Sequence, residues 1–269
     1  MQYDPIKRSL GRVFDQSPLS RKIFYRLLDL LLLRAWHIKK ELRKLTAEQA
    51  AIILDAGSGF GQYTYRLSRL FPRSVVLAVD VKEEQIEQCN LFFKAIGEAS
   101  RVHFQVEDLV TFVRPAQFNL ILSVDVMEHI EEDVQVFRNF RESLKEGGML
   151  LISTPSDQGG SDVHDHGQEV KGFIEEHVRD GYNIDGITEK LKTAGFSRIE
   201  AWYSYGTAGK LSWRLSMKFP IVMLGKSKLL FIVLPFYYLL VYPLAALLNY
   251  IDVNSRHQSG TGLIVKAWK

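Results

Sequence analysis

Between residues 52 and 153 one unit recurs: a short apolar run, a turn rich in glycine or carboxylate, and a stretch of helical period. The apolar runs lie at 52–55, 75–80, 102–106, 118–124 and 149–153, and helical patterns fill 63–70, 83–96 and 131–144. Strands that alternate with helices are joined by crossovers, so they align in parallel and the helices cover both faces. The expected fold class is therefore α/β, and ligands belong at the carboxyl ends of the strands.

Polar residues collect at those ends. Asp55 and the glycines Gly57, Gly59 and Gly61 follow the first run, Asp80 the second, Glu107 and Asp108 the third, and Asp125 the fourth. Glycine lets a backbone approach a ligand closely, and carboxylates accept hydrogen bonds from hydroxyl or amino groups. The loop reads Gly57-Ser58-Gly59-Phe60-Gly61, which departs from the GxGxxG of nicotinamide folds.

Taken in order, DAGSGFG, VVLAVD, VEDL, NLILSVDVMEHI and LKEGGMLLISTP resemble the class I S-adenosylmethionine-dependent methyltransferases, in particular the type 11 and quinone O-methyltransferase-like members. The resemblance covers 50–206 and 261–268. It implies a Rossmann-like, seven-stranded methyltransferase sheet that ends in an antiparallel hairpin of 198–205 and 261–268. It also implies S-adenosylmethionine as cofactor and S-adenosylhomocysteine as product. By the same resemblance Asp55, Gly57, Ser58, Gly59 and Gly61 hold the methionine and ribose part. Asp80 binds the ribose hydroxyls with Val81 and Lys82 beside the adenine, Asp108 meets the adenine amino group with Leu109 alongside, and Ser123 to Asp125 lie by the reacting methyl.

A sulfonium methyl is already activated, so the protein must align a nucleophile, exclude water and, for a hydroxyl acceptor, provide a base. Glu128 and His129 follow the fourth run in an EHI segment that resembles quinone O-methyltransferases. The pair either lines the site or caps the next helix. The connection after the fifth run adds His164, Asp165, His166 and His177, and we take Glu128, His129, His164 and His166 as the catalytic candidates. Histidine and carboxylate pairs in polar loops are mostly solvated, so no metal is expected.

The chain's flanks differ from this core. Residues 1–46 carry net charge +7, 47–206 carry −11 and 207–269 carry +7. The domain reading is a basic amphipathic N-terminal helix or lid (1–46), a methyltransferase domain (47–206 and 261–269) and a hydrophobic helical insertion (207–260). The N-terminal helix is expected over 20–45, opened by Ser20, with Arg34 interrupting its apolar stripe; it either packs on the core or lies at a membrane interface.

Residues 229–251 hold no charge and are long enough to cross a bilayer, with basic residues just before them. If 261–268 pairs with 198–205, as the resemblance implies, one complete crossing is forbidden. The insertion is then an in-plane or re-entrant hairpin, or a buried subdomain or dimer contact. These features suggest a small, lipophilic methyl acceptor, a membrane surface or a homodimer as partners, and no nucleic acid at an overall charge of +3. A single cysteine, Cys89, and an N-terminus without a signal-like apolar core suggest a cytoplasmic, membrane-peripheral setting.

Overall fold

A computed structural model describes residues 17–159, 178–226 and 232–269. After α1 (Pro18–Leu31) and α2 (Leu33–Leu42) comes one seven-stranded sheet: β1 (Ile52–Ala56), β2 (Val75–Asp80), β3 (Val102–Val106), β4 (Phe118–Val124), β5 (Leu144–Pro155), β6 (Arg198–Ser204) and β7 (Gly262–Trp268). Their order is β3-β2-β1-β4-β5-β7-β6. The first five strands run parallel, and β7 lies antiparallel between β5 and β6. The chain thus has the expected Rossmann-like methyltransferase fold.

Both sheet faces are covered by the crossover helices α3 (Gln62–Leu70), α4 (Glu83–Ala95) and α5 (Asp133–Ser143), and by α6 (Ile184–Thr193). The apolar runs explain this, because strands buried on both sides need no polar alternation. Along β4, Ile121 joins one buried cluster with Phe137 and Leu191, while Leu120 and Leu122 join the other with Phe93 and Ile38. Strand order reverses beside β1, which pairs with both β2 and β4, and this opens a crevice at their carboxyl ends.

The N-terminal segment corrects the expectation of one helix over 20–45. Leu32 is extended (φ −88°, ψ 110°) and separates α1 from α2. Ser17, not Ser20, is the N-cap of α1; Ser20 occupies the N3 position of a capping box with it. Asn183 caps α6, its side chain accepting from Gly186 N.

Between β6 and β7 stand α7 (Thr207–Trp213), a π-helical turn (Arg214–Lys218), α8 (Phe219–Lys226) and α9 (Leu234–Asn254). By length and composition α9 could cross a membrane. It is nevertheless tied to its own insertion along much of its length. Tyr237 and Tyr238 donate to the carbonyls of Leu215 and Ser216 (2.6 and 2.7 Å), and Ser212 Oγ donates to Ala245 O (3.0 Å). At its end, fully buried Asp252 accepts from Gly209 N (3.0 Å) and Tyr205 N (3.2 Å) and bonds His37 Nε2 of α2 (2.9 Å).

Candidate functional site

The turn after β1 is built on glycines in the left-handed region: Gly57, Gly59 and Gly61 have φ of +79°, +51° and +83°. A Cβ on Gly57 would stand 2.3 Å from Val126 Cγ2, so only glycine fits there. The amides of Gly57 and Ser58 both donate to Val79 O at 2.9 Å. Asp80, at the end of β2, accepts Gly59 N (2.8 Å) on one oxygen and Lys82 N (3.0 Å) on the other. Asp80 therefore braces the loop as well as bordering the crevice.

Two hydroxyls in this crevice are buried without a hydrogen-bond partner, Ser58 Oγ and Ser123 Oγ. Leaving such a group unmatched costs roughly 1–3 kcal/mol, so a polar ligand group beside them would be favoured. Asp55, 2% exposed, accepts Thr64 Oγ1 at 2.5 Å. Burial raises its pKa to about 7 against the pull of that bond, and Asp80 raises it further. Asp108 Oδ1 caps the next turn through Val110 N (2.9 Å), Leu109 is buried beside it, and Val81 is exposed.

Asp125 is a left-handed non-glycine residue (φ +53°) whose amide donates to Ser153 O (2.8 Å). Such a conformation is strained and concentrates at functional sites. The 3₁₀ turn Met127–His129 follows, with His129 half-buried. Glu128 is 1% exposed and accepts Thr154 Oγ1 from β5 at 3.0 Å. Its side chain does not cap α5, whose N-cap is Glu132. Burial first, and then the charge of Asp125, push the Glu128 carboxyl up to about 8, which favours its protonated form.

His164, Asp165, His166 and His177 lie outside the described residues. Among the described residues no group of three or more His, Cys, Asp or Glu could hold a metal ion.

The structure adds residues that sequence reasoning did not place in the site. Arg34 of α2 reaches over the crevice and pairs with Asp125 (Nη1 to Oδ2, 2.8 Å), while its backbone amide donates to Tyr205 OH (3.0 Å). Tyr63 of α3 is a further electrostatic neighbour of Arg34 and Asp125, and burial holds both phenols in their protonated form. On the other side of the loop, Tyr25 OH and Arg21 Nη2 of α1 donate to Phe60 O (2.5 and 2.9 Å). Both N-terminal helices thus roof the glycine loop and the end of β4. The one signal in the sequence was Arg34 itself, an arginine within an apolar stripe.

A family model described as "Methyltransferase domain" matches residues 53–148. The phosphoethanolamine N-methyltransferase 1 of Zea mays is 28% identical over 164 residues, 61% of this chain and 31% of that protein. The malonyl-[acyl-carrier protein] O-methyltransferase of Bacillus anthracis is 29% identical over 129 residues, 48% of this chain and 46% of that protein. The chain spans only about a third of the length of the first of these relatives. Among solved structures, Haemonchus contortus phosphoethanolamine N-methyltransferase 2 in complex with S-adenosyl-L-methionine aligns with a TM-score of 0.55 at 22% identity, over 82% of this chain and 49% of that one. An S-adenosylmethionine-dependent methyltransferase from Mesorhizobium loti aligns at 0.53 and 17% identity, over 88% of this chain and all of that one. These structures share the fold. The glycine loop, the acids at the ends of β2 and β3, and a methyltransferase domain matched over residues 53–148, from β1 into β5, support a class I S-adenosylmethionine-dependent methyltransferase.

Proposed function

We propose that this protein transfers a methyl group from S-adenosylmethionine to a small lipophilic acceptor, at oxygen. The cofactor, when bound, supplies an electrophilic methyl group. The observation that carries the reading is the crevice at the ends of β1, β2 and β4, where Ser58 and Ser123 hold buried unmatched hydroxyls beside a glycine loop with no room for a side chain at Gly57. Those residues fit a ligand that is polar along one edge and closely wrapped by backbone. Asp80 and Asp108 would hold its ribose and adenine ends.

The acceptor would enter under the roof of α1 and α2. Asp125 and Arg34 neutralise each other at its entrance, and the buried phenols of Tyr63 and Tyr205 border the same place. His129 would take the proton of an acceptor hydroxyl, since burial shifts the neighbouring Glu128 toward its neutral form. The relatives act through both nitrogen and oxygen by name. The lipophilic reading is supported by the apolar helices that flank the roof.

The test is to incubate the protein with methyl-labelled S-adenosylmethionine and a total cell lysate, extract with organic solvent, and count label in each phase. Label in the organic phase, lost with Asp80→Ala, is the expected result. Label confined to the aqueous phase would replace the lipophilic acceptor by a soluble metabolite. Cofactor binding with no label in either phase would point to a noncatalytic binding protein.

A further inference from the structure

Two helices of this molecule are inside out. On α1 the residues turned into the protein are Arg21 and Tyr25, while Leu19, Ile23, Leu27 and Leu30, spaced by four, four and three, are 42–68% exposed. On α9 the buried residues are Ala245, Asn249 and Asp252, while Phe236, Leu239, Leu240 and Leu247 are 55–79% exposed. A helix in water presents the opposite pattern, apolar inward and polar outward. The two faces belong to one assembly. Ser216 Oγ of the insertion reaches Leu31 O at the end of α1 (3.5 Å), and His37 and Lys40 of α2 bond Asp252 and Val253 O of α9 (2.9 and 2.6 Å).

Charge identifies the covering medium. Asp252 is the single acidic residue of 207–269, and it is fully buried against His37, Tyr205 N and Gly209 N. On the N-terminal helices Asp29 is matched by Arg66 and Gln62, and buried Glu41 by Lys44 and Lys266. The acids of these segments are therefore neutralised within the fold, while Arg26 and Arg256 are exposed. Exposed apolar side chains bordered by cations of one sign match the apolar interior and anionic headgroups of a bilayer leaflet.

We propose that α1 and α9 dock in the plane of an anionic membrane surface, with their outward leucines and Phe236 in the acyl boundary. Crossing does not fit, because α9 is bonded to Ser212, Leu215, Ser216 and the sheet-side residues around Asp252, and the chain returns to β7 beside β6. This docking goes beyond the proposed reaction and stands whichever acceptor is methylated. It would hold the roofed crevice next to the lipid phase.

Flotation of the purified full chain with preformed vesicles tests it. The protein is expected to rise with phosphatidylcholine–phosphatidylglycerol vesicles, to rise less as salt is added, and to stay behind with phosphatidylcholine alone. The double variant Leu239→Glu/Leu240→Glu places charges on fully outward positions, so it should keep the parent melting temperature and cofactor affinity while losing vesicle affinity by about ten-fold or more. Leu27→Glu should weaken it in the same direction. Failure of the parent to float with anionic vesicles, or a stable dimer in solution that the double variant dissociates, would overturn the proposal and assign the face to a second copy of the chain. Methyl transfer is not read in this experiment, so its failure leaves the proposed reaction standing.

Discussion

Asp80 joins two structural tasks, and its replacement separates them. Its carboxylate fixes the amides of Gly59 and Lys82 and borders the position implied for the ribose hydroxyls. Asp80→Ala should therefore weaken S-adenosylmethionine binding by about 1.5–3 kcal/mol, the scale of charge-assisted hydrogen bonds, as read by calorimetric titration. An unchanged affinity would place the cofactor elsewhere.

Glu128 gives a pH signature. Its folded pKa of about 8 lies above the ordinary 4.5, so the folded chain binds more protons across that window and loses stability as pH rises through it. Glu128→Gln keeps an acceptor for the Thr154 hydroxyl but cannot ionise. The melting temperature of the variant should fall less than the parent's between about pH 5 and 8, with a stability difference on the order of 2–4 kcal/mol near the upper end. Parallel curves would mean that Glu128 does not carry the pH dependence.

Asp55, raised to about 7, leaves a residual slope in both proteins. At this scale the sequence displayed the acids and glycines because each sits at the end of an apolar run. It did not display that Glu128 turns to Thr154 on β5 rather than into α5, since that depends on a strand 26 residues further along.

For the elements, periodicity located β2, β3 and β4 at 75–80, 102–106 and 118–124, where the structure has them, because a doubly covered parallel strand must be apolar throughout. The N-terminal helix was harder to read. Its apolar pattern continues across Leu32, and the break there follows from tertiary bonds: Arg21 and Tyr25 hold α1 to the glycine loop, and His37 and Lys40 hold α2 to α9.

Asp252 is the anchor of that second contact. Burial works to raise its pKa, but the bond to His37, the charges of His257 and His37, and the Gly209 amide overcome it and hold the carboxyl below the usual range. Asp252→Asn removes the charge from a buried pair and should destabilise the chain by roughly 3 kcal/mol in denaturant unfolding. Cofactor affinity should change much less, since Asp252 lies on the insertion. A variant as stable as the parent would show that α9 is held by its apolar contacts alone.

For the whole molecule, the decisive feature is that the last strand lies inside the sheet rather than at its edge. β7 pairs with β5 through Gly262–Trp268 and with β6 through the same residues, and Leu263, Ile264, Val265 and Ala267 are fully buried. The sequence indicated this only through the resemblance, since the insertion 207–260 separates the two arms of the hairpin and no local pattern joins them. A chain ending after Gly260 would leave β5 and β6 without a common neighbour and expose both core layers at once, because Leu263 and Val265 face one and Ile264 the other. We expect it to show no cooperative thermal transition. Ile264→Val, which removes one methylene from the same strand, should cost only about 0.5–1.5 kcal/mol and keep the transition sharp. A truncated chain that melted cooperatively and bound S-adenosylmethionine as the parent does would mean that β1 to β5 and β6 form a folding unit without β7. In that case the insertion would be an appendage rather than a segment held at both ends by the sheet.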